Sequence, residues 1–236
     1  MTSICSVDVG SHSICYTTLD DNVLNTVSSL PNAVVFSENN YETPTTLAST
    51  KSPMDSFPSR CYHNTNILLG LLPTDLPSLS LRFPLIPPLS LPYQSNSNIA
   101  ISLTFDSDQL RLSPSEVLAL SLYDIKTRIT QGSSPSSTIF PIPEHWNKDK
   151  VSAFLTSLHL ASFPSPLLTD AATAYVTAYH HKQTHNLENF STRVVFVDVG
   201  YSGTTLVAAD VSKTSSQILK ISSTSRVGGV FLTITS

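Results

Sequence analysis

The chain of 236 residues is short of charge: Asp, Glu, Lys and Arg together make up only 13% of it, about half the usual share. Its 13 basic residues are outnumbered by 17 acidic ones, giving a net charge of −4 and a pI near 5.9. That balance excludes the basic footprint of a nucleic-acid-binding domain. The acids are scattered, which excludes a solvating acidic tail. So weakly charged a surface implies modest solubility or a partner that covers it. Cysteine is scarce too. Cys5, Cys15 and Cys61 are odd in number and fit no metal-ligand spacing, which argues against a disulfide framework or a zinc site. Cys5 and Cys15 fall in strand-like runs and are expected to be buried free thiols, in keeping with a reducing compartment. Long hydrophobic runs are missing. The most apolar window, from Ile67 to Leu91, is interrupted by Asp75, Arg82 and a series of prolines, which argues against a membrane helix. The N-terminus lacks a basic stretch followed by an apolar one, so no signal peptide is expected. The expected location is the cytoplasm, or the cytoplasm and nucleus, with no membrane partner.

What is present is a real core. Apolar residues make up 40% of the chain, and Ser and Thr more than a quarter. Ile4 to Leu19 reads as two strands around a turn at Gly10. Asn32 to Phe36 gives another short strand, residues 37–66 read as mostly loop, residues 67–93 show no clean period, and Asn98 to Phe105 reads as a strand. Ser113-Pro114-Ser115-Glu116 is a capping box with proline at the first helical position, followed by Val117, Leu118, Leu122, Ile125 and Ile129 near helical spacing. The Gly132–Ser137 stretch ends that helix, and Thr138 to Ile142 is a candidate buried strand. Asn147 is placed to cap a second helix whose Val151, Phe154, Leu155 and Leu158 form one apolar face, ended by Pro164 and Pro166. A third helix is expected from about Asp170 to His181. Arg193 to Val199 reads as a buried strand, Leu206 to Val211 and Gln217 to Ile221 continue a sheet, and Gly228-Gly229 makes a turn.

Two segments are alike. V-D-V-G-S at 7–11 and V-D-V-G-Y at 197–201 each join a strand, an aspartate and a glycine turn to a second strand, a repeat separated by helices. Each turn can present backbone N–H groups and a hydroxyl to an anion, and each aspartate can hold a metal-bound water. Two such hairpins suit a nucleotide phosphate chain with Mg²⁺. Glycine is spent here: of seven in the chain, Gly10, Gly200, Gly203, Gly228 and Gly229 sit in these turns. Taken singly, each motif is more often an ordinary tight turn.

The order of motifs resembles the actin-like ATPase fold, and more closely the heat shock protein 70 family. V-D-V-G-S-H-S (7–13) resembles its first phosphate motif and P-N-A-V-V-F (31–36) the strand that follows. L-S-P-S-E-V-L-A-L-S-L (112–122) resembles the helix start preceding the second half of that domain, and I-F-P-I-P-E-H-W-N-K-D-K (139–150) a strand, its V-P turn and a capped helix. The segment 160–179 is similar to I-A-G-L-N followed by N-E-P-T-A-A. V-V-F-V-D-V-G-Y-S-G-T-T (194–205) resembles the second phosphate motif and R-V-G-G-V-F (226–231) the L-G-G-x-x-F-D motif. Asp198-Val199-Gly200-Tyr201-Ser202 is closest to the heat shock protein 110 branch, whose members serve as nucleotide exchange factors and holdases. The resemblance implies an α/β, ribonuclease H-like fold: a first lobe at 1–182 with a divergent inserted subdomain at 37–112, and a truncated second lobe at 183–236. It implies ATP or ADP with Mg²⁺ as cofactors. The contacts it assigns are Asp8, Gly10, Ser11, His12, Asp198, Gly200, Tyr201, Ser202, Gly203, Gly228 and Gly229, with Asp8 and Asp198 toward the metal. The implied partner is an ordinary heat shock protein 70 chaperone or an unfolded client.

The departures bear on activity. The family's hydrolytic lysine follows an N-T motif, but Asn64-Thr65 here leads to Leu69-Gly70-Leu71. The N-E-P-T glutamate falls on Ala171, beside Asp170. The Thr and second Asp of the phosphate motif fall on Gly203 and Thr205. Phosphoryl transfer needs a phosphate-binding cation and a group that positions water, so hydrolysis is expected to be very slow or absent. In the family, the segment after Gly228-Gly229 lies inside the second lobe, so a phosphate site lacking its adenosine half is expected to bind weakly. The alternative is a degenerate pseudo-ATPase acting only as a protein-interaction module. A sugar kinase would need a catalytic aspartate early in the second lobe, where Asp210 is the only candidate. His145, His180, His181 and His185 read as surface histidines, since no H-E-x-x-H motif occurs. Trp146 and the Tyr175/Tyr179 pair read as packing residues. No G-x-S-x-G elbow supports a hydrolase.

Overall fold

The computed structural model describes residues 3–20, 23–24, 28–35, 45–46, 61–75, 89–90, 100–105, 108–132, 135–163, 165–186 and 190–229. The strands are β1 (Ser3–Val9), β2 (Ser13–Asp20), β3 (Val23–Leu24), β4 (Ser28–Pro31), β5 (Ala33–Val35), β6 (Thr45–Thr46), β7 (Cys61–His63), β8 (Leu89–Ser90), β9 (Ala100–Phe105), β10 (Asp108–Leu112), β11 (Ser137–Ile142), β12 (Leu167–Asp170), β13 (Ser191–Val199), β14 (Thr204–Ser212) and β15 (Ser216–Thr224). The helices are α1 (Pro114–Gly132), α2 (Lys148–Leu160) and α3 (Ala171–Asn186), and short 3-10 turns cover Thr65–Leu68 and Pro73–Asp75. The chain is thus mixed α/β. It divides into two compact units, one made of Met1–Ile139 and Asn147–Leu167, the other of Phe140–Trp146 and Leu168–Ser236.

In the first unit, β1 alternates buried and exposed positions, with Cys5, Val7 and Val9 in the core and Asp8 outside. It pairs antiparallel with β2, Val9 opposite Ile14, and parallel with β11, Ile4 opposite Ser137. Strands β3 and β4 both join the outer edge of β2. The strand order is β12-β11-β1-β2-β3: a three-strand meander whose first strand takes a parallel fourth strand on its other side, reached through helix α1. Parallel neighbours require such a crossover. Two small antiparallel sheets, β6-β5-β7 and β10-β9-β8, also lie in the first unit.

Local chemistry explains the helices. Ser113 N–H donates to Glu116 Oε2 at 2.6 Å, and Glu116 N–H donates back to Ser113 Oγ at 3.3 Å, so the expected capping box forms. Val117, Leu118, Leu122, Ile125 and Ile129 of α1 are all buried. Asn147 Oδ1 accepts the Lys150 N–H at 2.9 Å, capping α2 as expected. Only part of the expected α2 face is inside: Phe154 and Leu158 are buried but Leu155 is exposed. The end of α2 also differs from expectation. Ser162 adopts a left-handed backbone (φ 60), its N–H donates to His159 O, and the Phe163 N–H donates to Leu158 O. This is a left-handed C-terminal cap, complete before either proline is reached.

The second unit holds the antiparallel sheet β13-β14-β15, with Val199 opposite Thr204 and Arg193 opposite Asp210. Helix α3 lies on one face. Ala172 and Val176 pack there with Val207, Ala209 and Val211, joined by Tyr175, Tyr179, Phe190, Val194, Phe196 and Ile218. Tyr179 and Phe196 meet edge to face, centroids 5.5 Å apart.

Several expectations are corrected. R-V-V-F-V-D-V is a strand but not a buried one: only Val194 and Phe196 turn toward α3, while Val195 and Val197 are 60% and 64% exposed. A continuous apolar run suggests burial on both faces, yet one face here stays open. Cys5 is buried, but Cys15 is half-buried, its Sγ–H donating to Ser29 Oγ at 3.4 Å. The segment expected as loop at 37–66 contains β6, β7 and the start of the Thr65–Leu68 turn; its other residues apart from Asn64, like much of 67–99, lie outside the described set. Helix α3 continues past His181 to Asn186. Strands β10 and β12 were not expected.

Candidate functional site

The first hairpin turn is Gly10-Ser11-His12, between β1 and β2. A side chain on Gly10 would place its Cβ 2.8 Å from Ser13 O, so the turn closes only around glycine. The turn is tied from behind by two buried asparagines. Asn32 Nδ2 donates to Gly10 O at 2.9 Å, and the Asn32 main-chain N–H donates to His12 O at 2.9 Å. Asn66 Nδ2 donates to Val9 O at 3.1 Å. Both side chains are buried, 0% and 3% exposed, and the Oδ1 of each lacks a hydrogen-bond partner. A buried unsatisfied polar atom costs about 1–3 kcal/mol, so these two asparagines are expensive residues to keep. Asp8 is exposed at the end of β1, Ser11 is buried and His12 is exposed.

The second hairpin turn runs Gly200-Tyr201-Ser202-Gly203. Gly200 N–H donates to Gly203 O at 2.9 Å, and Gly229 N–H donates to Gly200 O at 2.9 Å. Gly228 sits so close behind that a Cβ there would lie 2.6 Å from Tyr201 O, 2.8 Å from Gly203 N and 2.9 Å from Gly200 O. Thr204 Oγ1 donates to Val227 O at 3.0 Å. A Cβ on Gly203 would meet His145 Cε1 at 2.9 Å, so the imidazole packs on the turn itself. Asp198 is exposed, and its Oδ2 accepts the Tyr175 hydroxyl proton at 2.9 Å. Beside this, a Glu144 carboxylate oxygen accepts the Ala172 N–H and caps α3.

The two turns share one device. In each, the glycine carbonyl after the strand is drawn backward, by Asn32 at Gly10 and by Gly229 at Gly200. The C=O and N–H of a trans peptide point in opposite directions, so the N–H that follows each tied carbonyl points away from the group that ties it. Those N–H groups belong to Ser11 and Tyr201.

The sequence-assigned residues therefore fall into two sets. Asp8, Gly10, Ser11 and His12 are brought together in the first unit. Asp198, Gly200, Tyr201, Ser202 and Gly203 are brought together in the second, with Gly228 and Gly229 directly behind them. Sequence reasoning missed Asn32, Asn66, Glu144, and the contacts of His145 and Tyr175. Asn32 carried a usable signal, an amide just ahead of an apolar strand. Tyr175 was read as packing only, whereas its hydroxyl holds Asp198. In the Leu69-Gly70-Leu71 segment, where the resemblance implies a lysine that the sequence lacks, Leu69 is buried. Among the described residues, no group of three or more His, Cys, Asp or Glu could hold a metal ion, and no helix is long and apolar enough to cross a membrane. No protein-family model matches the chain, and no curated protein matches it closely enough to count as a relative.

Proposed function

We propose that the chain is a divergent chaperone-family protein of the actin-like, ribonuclease H-like class. In this proposal it binds MgATP or MgADP and acts as a cochaperone or nucleotide exchange factor, with weak or no hydrolysis. The observation that carries the proposal is the shared construction of the two turns, each a glycine whose carbonyl is held by a donor, so that the following N–H points the other way. Successive N–H groups in a tight turn form a concavity suited to anions. The strand order β12-β11-β1-β2-β3, a meander plus a parallel fourth strand, supports the fold class. Each turn by itself fits part of the cofactor: in the first unit Ser11 and His12 would take phosphate oxygens beside the exposed Asp8, and in the second Tyr201, Ser202 and Gly203 would do so beside the exposed Asp198, each aspartate suited to hold Mg²⁺ through its water shell. Mg²⁺ supplies charge neutralisation of the phosphates. The Leu69-Gly70-Leu71 segment, where the resemblance implies a phosphate-binding lysine, holds none and argues against fast hydrolysis.

Calorimetric titration with MgADP and MgATP tests the proposal. Binding is expected, and Asp8→Ala or Asp198→Ala is expected to abolish its Mg²⁺-dependent part. Unchanged affinity in both variants removes the site. A folded chain that gives no binding heat at several temperatures favours the second reading, a pseudo-ATPase acting only as a protein-interaction module. That reading draws on the open apolar face of β13, where Val195 and Val197 are exposed.

A further inference from the structure

The first turn owes its shape to side chains far away in sequence, and this sets it apart from the second. At Gly200 the tie is made by a backbone N–H, from Gly229. At the first turn it is made by the amides of Asn32 and Asn66, which hold Gly10 O and Val9 O. Main-chain ties survive almost any substitution, but these two do not. An apolar residue in place of either asparagine would leave Gly10 O or Val9 O without its side-chain donor, and a buried acceptor left unpaired is destabilising. Residues of that kind are explained by what their donors hold.

We infer that Asn32 and Asn66 are positioning residues that pre-organise the first turn as a phosphate site. All peptide bonds among the described residues are trans. Holding Gly10 O toward Asn32 therefore directs the Ser11 N–H the opposite way. Holding Val9 O toward Asn66 does the same for the Gly10 N–H. The main-chain N–H of Asn32 also holds His12 O, so the carbonyls of Val9, Gly10 and His12 are all held by these two asparagines. A turn with its carbonyls free would offer acceptors to a phosphate and repel it. Fixing them in advance removes that repulsion and the reorganisation that binding would otherwise require. The inference rests on the phosphate reading of this turn, and it names side chains that the motif itself does not contain.

The test uses Asn32→Asp, a near-isosteric change that replaces the amide donor with an acceptor facing Gly10 O, and Asn66→Asp, which does the same at Val9 O. Two readouts separate the inference from the reading beneath it. The first needs no ligand: amide NMR spectra and hydrogen exchange of the free chain. Asn32→Asp is expected to move the resonances of Gly10, Ser11 and His12 while those of α1 and α3 stay in place. The second is calorimetry with MgADP at a temperature where circular dichroism shows each variant fully folded. Each variant is expected to lose at least tenfold in MgADP affinity while remaining folded, a loss that general destabilisation does not produce. If Asn32→Asp does not fold, Asn32→Ser and Asn66→Asp are read in the same way. An unperturbed turn in the folded variants, or MgADP affinity equal to wild type, overturns the positioning role. A wild-type chain that binds no MgADP, with the turn perturbed in the variants as expected, overturns the nucleotide reading.

Discussion

At the residue scale, the two neighbouring glycines behind the second turn make opposite predictions. A methyl group on Gly228 would stand 2.6 to 2.9 Å from three backbone atoms of the turn. None of these is the end of a flexible side chain, so the turn or the 225–229 segment must move. Overpacking of this kind costs about 1–3 kcal/mol. Gly228→Ala is therefore expected to lower Tm and to weaken MgADP binding together. On Gly229 the same methyl would meet nothing nearer than 3.7 Å, and the N–H that holds Gly200 O is kept. Gly229→Ala is expected to change stability by no more than about 0.5 kcal/mol and to bind as wild type does. Thermal melts with MgADP titrations of the two variants check this. Equal effects would mean that Gly228 does not support the turn.

At the element scale, β13 and β14 are joined on their outer face by Arg193 and Asp210, which stand opposite each other in register. The guanidinium donates to both carboxylate oxygens, at 2.7 and 2.9 Å, and this hydrogen bonding holds the Asp210 carboxyl below its ordinary pKa. Because the folded pKa is depressed, the contribution is present above the ordinary carboxylate range and lost as pH falls through the folded value. The two side chains are 68% and 46% exposed and screened by solvent, so the effect of the pair is small. Asp210→Asn is expected to melt slightly below wild type at neutral pH, with the difference vanishing in acid. A difference that persists or grows in acid would assign the effect to something other than this pair. The strands themselves were legible in the sequence because their signals are local. So were the capping box at Ser113–Glu116 and the cap at Asn147, each a contact three residues long. The ties at Asn32 and Asn66 were not, since they span 22 and 57 residues, and no local pattern marks a long-range amide contact. The end of α2 misled for a different reason. Prolines are strong stop signals, but the left-handed Ser162 had already ended the helix, and serine seldom advertises that conformation.

At the scale of the whole molecule, weak charge and the open face of the β13-β14-β15 sheet act together. Val195, Val197, Val199 and Leu206 are all exposed, and the register of β13 with β14 sets Val197 opposite Leu206 and Val195 opposite Ala208 on one face. Charge on this face is sparse: Arg193 and Asp210 neutralise each other, and Lys220 stands opposite Ala208. Strand β13 is also the first in its sheet order, nine residues long without proline, and an edge of that kind templates pairing with another chain. Net charge is only −4 and vanishes near pH 5.9, where electrostatic repulsion between molecules is weakest. Sedimentation velocity is therefore expected to show association that grows with concentration and is strongest near that pH. Val197→Glu places a charge at the centre of the face, where the native side chain makes little packing contribution. It is expected to shift the distribution toward monomer with little change in Tm, because substitutions at exposed positions are usually near neutral for stability. A variant that associates as wild type does would show that this face takes no part in self-association, and one that unfolds would show that Val197 is covered in solution.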